Sequence, residues 1–138
     1  MAVSIEKVVH NLHFDRLFLD KIEAAEKIKI IMNAAIIQAR LSSSRLPGKI
    51  FLEVCGMSML EHMITRVKRS KKIDEILIAT SNNSADDLIE IWCKKHQVKC
   101  FRGPEQDVLK RYKLAKDFIN ADTIIRLGAD SPLIDPKI

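Results

Sequence analysis

The stretch Asn33-Ala-Ala-Ile-Ile-Gln-Ala-Arg40 decides the fold. Its apolar side chains fall on both faces of an extended run that ends among turn-forming residues, the pattern of a strand covered on both sides. Toward the C-terminus, Ser58 with Glu61 three residues later forms a capping box, and Leu60, Met63, Ile64 and Val67 follow at helical spacing. Glu75 to Thr80 is a β-rich run, and Ser84 with Asp87 opens a helix whose apolar face reads as Leu88, Ile91 and Trp92. Val98 to Phe101 is a short strand closed by Gly103 and Pro104. Val108, Leu109, Tyr112, Ala115 and Ile119 mark another helix, and Thr123 to Leu127 a last strand. From residue 33 the order is β, α, β, α, β, α, β. Parallel neighbours require crossovers, so this order predicts an α/β fold, a mostly parallel sheet with helices on each side in three layers. In such sheets ligands bind beyond the carboxyl ends of the strands, and the polar stretches 39–49 and 128–132 both follow strands. They are expected to share one crevice.

Before residue 33, Ile5, Val8, Val9 and Leu12, then Phe18, Ile22 and Ala25, keep a helical period. This predicts a helical arm over residues 1–31 and a main domain over 32–138. His10 and His13 lie one turn apart in the arm and lack the third ligand that a metal site needs. A chain of 138 residues, 47% apolar and 30% charged, is long enough for a core and unlike disordered or fibrous sequences. No window approaches ~18 uninterrupted apolar residues, and Glu6, Asp15 and Asp20 stand where a secretory leader would be apolar. The expectation is a cytoplasmic protein without a membrane partner. Cys55, Cys93 and Cys100 include no CxxC pair and read as reduced, half-buried thiols.

The formal charge of +5 is unevenly placed. Residues 1–31 hold five basic and five acidic groups, residues 32–72 eight and two, and residues 73–138 ten and eleven. Arg66, Lys68, Arg69, Lys71 and Lys72 end a helix, where the macrodipole favours cations. No aromatics are interleaved with them, which argues against nucleic acid as a partner. Arg40, Arg45 and Lys49 have no such explanation.

They belong to the loop Ala39-Arg-Leu-Ser-Ser-Ser-Arg-Leu-Pro-Gly-Lys49. Two Arg and one Lys fall within ten positions, separated by Ser42, Ser43 and Ser44. Small residues let backbone N–H groups approach phosphate oxygens, Arg binds them bidentately, and Lys supplies a point charge. The pattern suits a triphosphate, although a polar loop with snorkelling bases has the same composition. It contains neither a P-loop nor a dinucleotide fingerprint.

The string Ile36-Ile-Gln-Ala-Arg-Leu-Ser-Ser-Ser-Arg-Leu-Pro-Gly-Lys49 resembles the opening motif of the cytidylyltransferase family that activates acidic sugars, which includes CMP-KDO synthetase and acylneuraminate cytidylyltransferase. The nearest branch is the one named for spore coat polysaccharide biosynthesis protein F. The resemblance continues through Met59-Leu-Glu-His62, Ile78-Ala-Thr-Ser81, Phe101-Arg-Gly103, Asp107-Val-Leu109 with Arg111-Tyr112, and Asp130-Ser-Pro-Leu-Ile-Asp-Pro136, covering about residues 34–138. It implies a nucleotide-diphospho-sugar transferase fold, CTP and a sugar or sugar-acid acceptor as partners, Mg²⁺ as cofactor, and transfer of CMP with release of pyrophosphate. A homodimer is compatible with it. Carried over by position, it implies that Arg40, Ser43, Ser44, Arg45 and Lys49 hold the CTP phosphates. Of these, Arg45 and Lys49 would stabilise charge during transfer. It also implies that Thr80, Asp107 and Arg111 border the nucleotide and that Asp130 binds Mg²⁺. By its own residues Asp130 reads rather as a turn-former before Pro132, and Asp107 with Arg111 equally as a surface pair one turn apart.

Ser42, the Gly56-Met57-Ser58 segment and Ala129 depart from the usual family pattern, Ala129 placing a methyl beside the expected metal site. Complete domains of this class run on for roughly another hundred residues. The sheet is therefore expected to be incomplete at its C-terminal side, and a non-catalytic remnant that binds nucleotide or a partner chain stands as the alternative.

Overall fold

The computed structural model describes residues 31–42 and 46–137. Apart from Ile31, the arm expected over 1–31 lies outside the described residues, as do Ser43, Ser44 and Arg45 of the polar loop. The main sheet consists of β1 (Asn33–Gln38), β4 (Glu75–Ser81), β5 (Lys99–Gly103) and β6 (Thr123–Gly128), in the order β5-β4-β1-β6 with every pairing parallel. Ile36 of β1 stands opposite Leu77 on one side and Arg126 on the other. Three helices connect the strands: α1 (Met59–Val67), α2 (Asp87–Lys95) and α3 (Val108–Phe118).

Alternation along β1 builds two cores, because successive side chains point to opposite faces. Ala35 and Ile37 join Ile78 beneath Leu60, Met63 and Ile64 of α1 and Ile89 and Cys93 of α2. Ala34 and Ile36 join Leu77 and Ala79 beneath Tyr112 and Ala115 of α3. Helices therefore cover both faces, and the expected three layers are present among the described residues. The chain steps outward from β1 to β4 to β5, then returns to place β6 on the far side of β1.

α2 turns a different face inward from the one its apolar residues suggested, while α3 turns in the expected Val108, Tyr112, Ala115 and Ile119 and departs at Leu109. In α2, Leu88 and Ile91 are each 59% exposed, while Ile89 and Cys93 are buried. The cause is Asp86, which ends a single 3-10 turn (Ser84–Asp86) with its carboxylate inside. Ile89 and Cys93 follow it at helical spacing, so a buried polar residue sets the phase. In α3, Leu109 is 80% exposed and the inward stripe runs through Arg111, Tyr112, Ala115 and Ile119. Arg111 turns inward rather than forming the surface pair with Asp107. Cys55 is exposed, Cys100 half-buried and Cys93 buried, all free thiols.

Between β1 and α1 lie a 3-10 turn (Lys49–Phe51) and a hairpin of β2 (Glu53–Val54) and β3 (Met57–Ser58), absent from the sequence reading. Cys55 and Gly56 both take positive φ, 52° and 78°, the two-residue turn that matches strand twist. The capping box on α1 is complete. Glu61 N–H donates to Ser58 Oγ at 3.2 Å, and Ser58 N–H and Oγ–H donate to the Glu61 carboxylate at 2.7 Å. These bonds hold the Glu61 carboxyl below its ordinary pKa, the Ser58 hydroxyl contributing most. Ser58→Ala is expected to lower stability by about 1 kcal/mol in denaturant unfolding, with Ser58→Asp largely retaining it.

Candidate functional site

The strand order reverses between β1 and β6, and a cleft of about 290 Å³ opens beyond the carboxyl ends of these two strands. Arg40, Ser42 and Lys49 form one side, Gly128 and Asp130 the other. Parallel neighbours whose crossovers leave in opposite directions cannot both cover this point, so a crevice forms there. The two polar stretches of the sequence meet in it.

Lys49 reaches the cleft from the 3-10 turn, and its Nζ donates to Asp130 Oδ2 at 2.7 Å. Both side chains are partly solvated. The turn carrying Asp130 is tied to β1 by the Ala129 N–H to Gln38 carbonyl bond at 2.9 Å, and closed by Ser131 N–H on the Gly128 carbonyl at 3.2 Å. A Cβ at Gly128 would stand 2.8 Å from Asp130 Oδ1, so the carboxylate tip would have to shift to make room for one. The methyl of Ala129 is buried in the core below α1 and α2.

Arg40 Nη2 donates to Ser42 Oγ and to Glu105 Oε1, each at 3.0 Å, and Glu105 Oε2 accepts from Asn83 Nδ2 at 3.0 Å. Arg40 Nε is buried without a partner. Arg102, at the end of β5, pairs with Asp87 at 2.6 Å and Glu90 at 3.2 Å and donates to the carbonyls of Ser81 and Asn83.

One residue that sequence reasoning missed organises the loop. Asp86, 1% exposed, accepts from Leu41 N–H at 2.8 Å and from the Ser81 hydroxyl at 2.5 Å. It fixes the first turn of the polar loop to the end of β4 across 45 residues of sequence. Burial alone would raise its pKa, but the bonds from Leu41 and Ser81 outweigh it and the carboxyl titrates below its ordinary value. The sequence reading took the helix opening from Ser84 and Asp87 and passed over Asp86 between them, since no local pattern marks a carboxylate that caps a distant loop.

Of the expected site residues, Arg40, Lys49 and Asp130 are brought together, and Ser43, Ser44 and Arg45 lie outside the described residues. Thr80 is fully buried at the end of β4. Asp107 caps α3 by accepting from Lys110 N–H at 2.9 Å. Arg111 is fully buried, with Nη1 donating to the carbonyls of Pro104 at 2.5 Å and Glu105 at 3.2 Å. None of these three lines the cleft.

Among the described residues no three metal-type side chains cluster. Asp130 is the one carboxylate among the described lining residues. That donor set suits Mg²⁺, which takes one or two carboxylates and completes its octahedron with phosphate oxygens and water. The cleft therefore offers cations to an anionic chain and a carboxylate to the ion that accompanies it. No helix among the described residues is long and apolar enough to cross a membrane.

A family model described as cytidylyltransferase matches residues 34–138. The spore coat polysaccharide biosynthesis protein SpsF of Bacillus subtilis is 38% identical over 107 residues, 75% of this chain and 45% of that protein. A solved cytidylyltransferase from Leptospira borgpetersenii superposes with a TM-score of 0.72 at 40% identity, covering 77% of this chain and 44% of the other. A CMP:2-keto-3-deoxy-manno-octonic acid synthetase solved with CTP superposes with a TM-score of 0.63 at 26% identity, over 76% and 43% of the two chains. This chain thus spans less than half the length of each.

Asp86 supplies a pH test of the loop anchor. A carboxyl with a lowered native pKa stabilises the fold above the ordinary value of about 3.9, and the contribution fades as pH falls through the native value. Asp86→Asn, which cannot accept from both donors, is expected to melt lower than the parent at pH 7, with the gap narrowing below about pH 4. A gap that stays constant into acid would remove the anchor role.

Proposed function

The chain belongs to the cytidylyltransferase family, and from that premise we propose that its cleft binds CTP with Mg²⁺ and serves transfer of CMP to a hydroxyl of a sugar or sugar acid, releasing pyrophosphate, in the making of cell-surface polysaccharide. The observation that carries this reading is the meeting of Lys49 and Asp130, 2.7 Å apart, beside Arg40 at the strand-order reversal. The acceptor oxygen attacks the α-phosphorus, the bond from that phosphorus to the bridging oxygen of the β-phosphate breaks, and pyrophosphate leaves with the electron pair. The acceptor proton passes to solvent.

In this reading Arg40, Ser43, Ser44, Arg45 and Lys49 hold phosphate oxygens, and Arg45 and Lys49 neutralise charge as it moves onto the leaving group. Asp130 would hold Mg²⁺, and the ion would supply neutralisation of phosphate charge there. Asp86 holds the Leu41 amide at the start of the loop, which fixes the backbone next to Arg40 before the nucleotide arrives. Support for Thr80 and Asp107 in nucleotide binding rests on the resemblance alone. The relatives' names bring the sugar-acid acceptor and the spore coat setting into the proposal, since both are said of those proteins.

A second reading, nucleotide binding without turnover, is favoured by the single carboxylate among the described residues of the cleft. Pyrophosphate release from CTP, Mg²⁺ and a panel of sugar acids separates the two. Turnover supports the transferase. A melting shift with CTP but no pyrophosphate supports the second reading, and no greater shift with CTP than with ATP or GTP removes the base preference. Where turnover is found, Lys49→Met is expected to reduce kcat by a factor on the order of 10² to 10³.

A further inference from the structure

Arg111 is the largest fully buried side chain among the described residues, and its charge is poorly satisfied. Nη1 donates to two carbonyls, while Nε and Nη2 are buried with no partner. Burial, followed by the nearby charge of Arg40, pushes its guanidinium below the ordinary arginine value. A buried cation in this state is a liability, because hydrophobic residues of similar volume serve a core as well or better. The surroundings nevertheless accommodate it closely, since a Cβ at Gly103 would stand 3.0 Å from Arg111 Cγ. Its bonds end on the peptide groups of Pro104 and Glu105, and the Glu105 carboxylate in turn holds Arg40 at 3.0 Å and Asn83 at 3.0 Å.

We propose that Arg111 is a positioning residue for Arg40: from inside the fold it fixes the Pro104–Glu105 peptide, so that the Glu105 carboxylate presents the Arg40 guanidinium to the nucleotide in the cleft. Two effects act together. The Nη1 bonds hold the backbone that aims Glu105, and the Arg111 charge repels Arg40 toward the cleft. The reading deepens the proposed function by giving the buried arginine an indirect part in nucleotide binding, and it rests on Arg40 as a phosphate contact.

The experiment uses Arg40→Ala, Arg111→Met and the Arg40→Ala/Arg111→Met double variant of the full chain, with Glu105→Gln as a surface variant that leaves the core intact. CTP affinity is measured by calorimetry, and exchange of the Arg40 Nε–H by NMR without nucleotide. Arg40→Ala is expected to weaken CTP binding about tenfold or more, as loss of a charge-assisted hydrogen bond implies. Arg111→Met is expected to weaken it comparably while melting no lower than the parent, and to add less than about twofold in the Arg40→Ala background. Both Arg111→Met and Glu105→Gln are expected to speed exchange of the Arg40 Nε–H. Additive losses in the cycle, or an Arg40 Nε–H that exchanges as in the parent in both variants, would overturn the positioning role. If Arg111→Met fails to fold, unchanged exchange in Glu105→Gln overturns it alone and faster exchange supports it. A parent chain that does not bind CTP overturns the proposed function instead, and the exchange comparison then decides the positioning role by itself.

Discussion

The parallel pairing of β1 with both β4 and β6 constrains everything else. A strand with parallel neighbours on each side must be apolar on both faces, and Ala34, Ala35, Ile36 and Ile37 are fully buried. It must also end in the open, because its own connection leaves toward β4 while β6 arrives from the opposite layer. The polar loop after β1 and the Gly128-Ala129-Asp130 turn after β6 are therefore forced into one place. Residues 81 positions apart, Lys49 and Asp130, meet there without any direct sequence relation.

Local patterns made most of the fold legible. The capping box at Ser58 and Glu61 is written within four residues and appears as read, and the strand runs carry their own apolar signature. The phase of α2 was misread, and in α3 the single position Leu109, for one shared reason. A reading that places apolar residues inward passes over Asp86 and Arg111, which take inward positions and turn Leu88, Ile91 and Leu109 outward. Asp86 is buried against a partner 45 residues away, the Leu41 amide, whereas Arg111 bonds the carbonyls of Pro104 and Glu105 in the loop just before its own helix. The loop's chemistry was visible in its composition. The carboxylate that anchors it was not, since its meaning lies in a contact between separate elements.

The charged groups of the site divide into two kinds by what a ligand could exchange. Lys49 with Asp130 and Arg40 with Glu105 are partly exposed pairs, worth about 0–1 kcal/mol each. A hydrogen bond from either cation to a bound anion is worth about 1.5–3 kcal/mol. In the proposed function, a phosphate group would therefore outcompete Asp130 for Lys49. In the absence of ligand these pairs keep the cleft's cations from repelling one another.

Asp86 and Arg111 are of the other kind. Removing one partner of a buried charge leaves an uncompensated group whose desolvation cost is several kcal/mol, so neither can change partners as a ligand arrives. They belong to the scaffold, and they lie on either side of Arg40: Asp86 holds the amide of its neighbour Leu41, and Arg111 holds the peptide that aims Glu105 at its guanidinium. A side chain as flexible as arginine loses considerable rotamer freedom when it binds an anion. Fixing its backbone from one side and its head group from the other takes that loss during folding, which leaves more of the contact energy for the ligand.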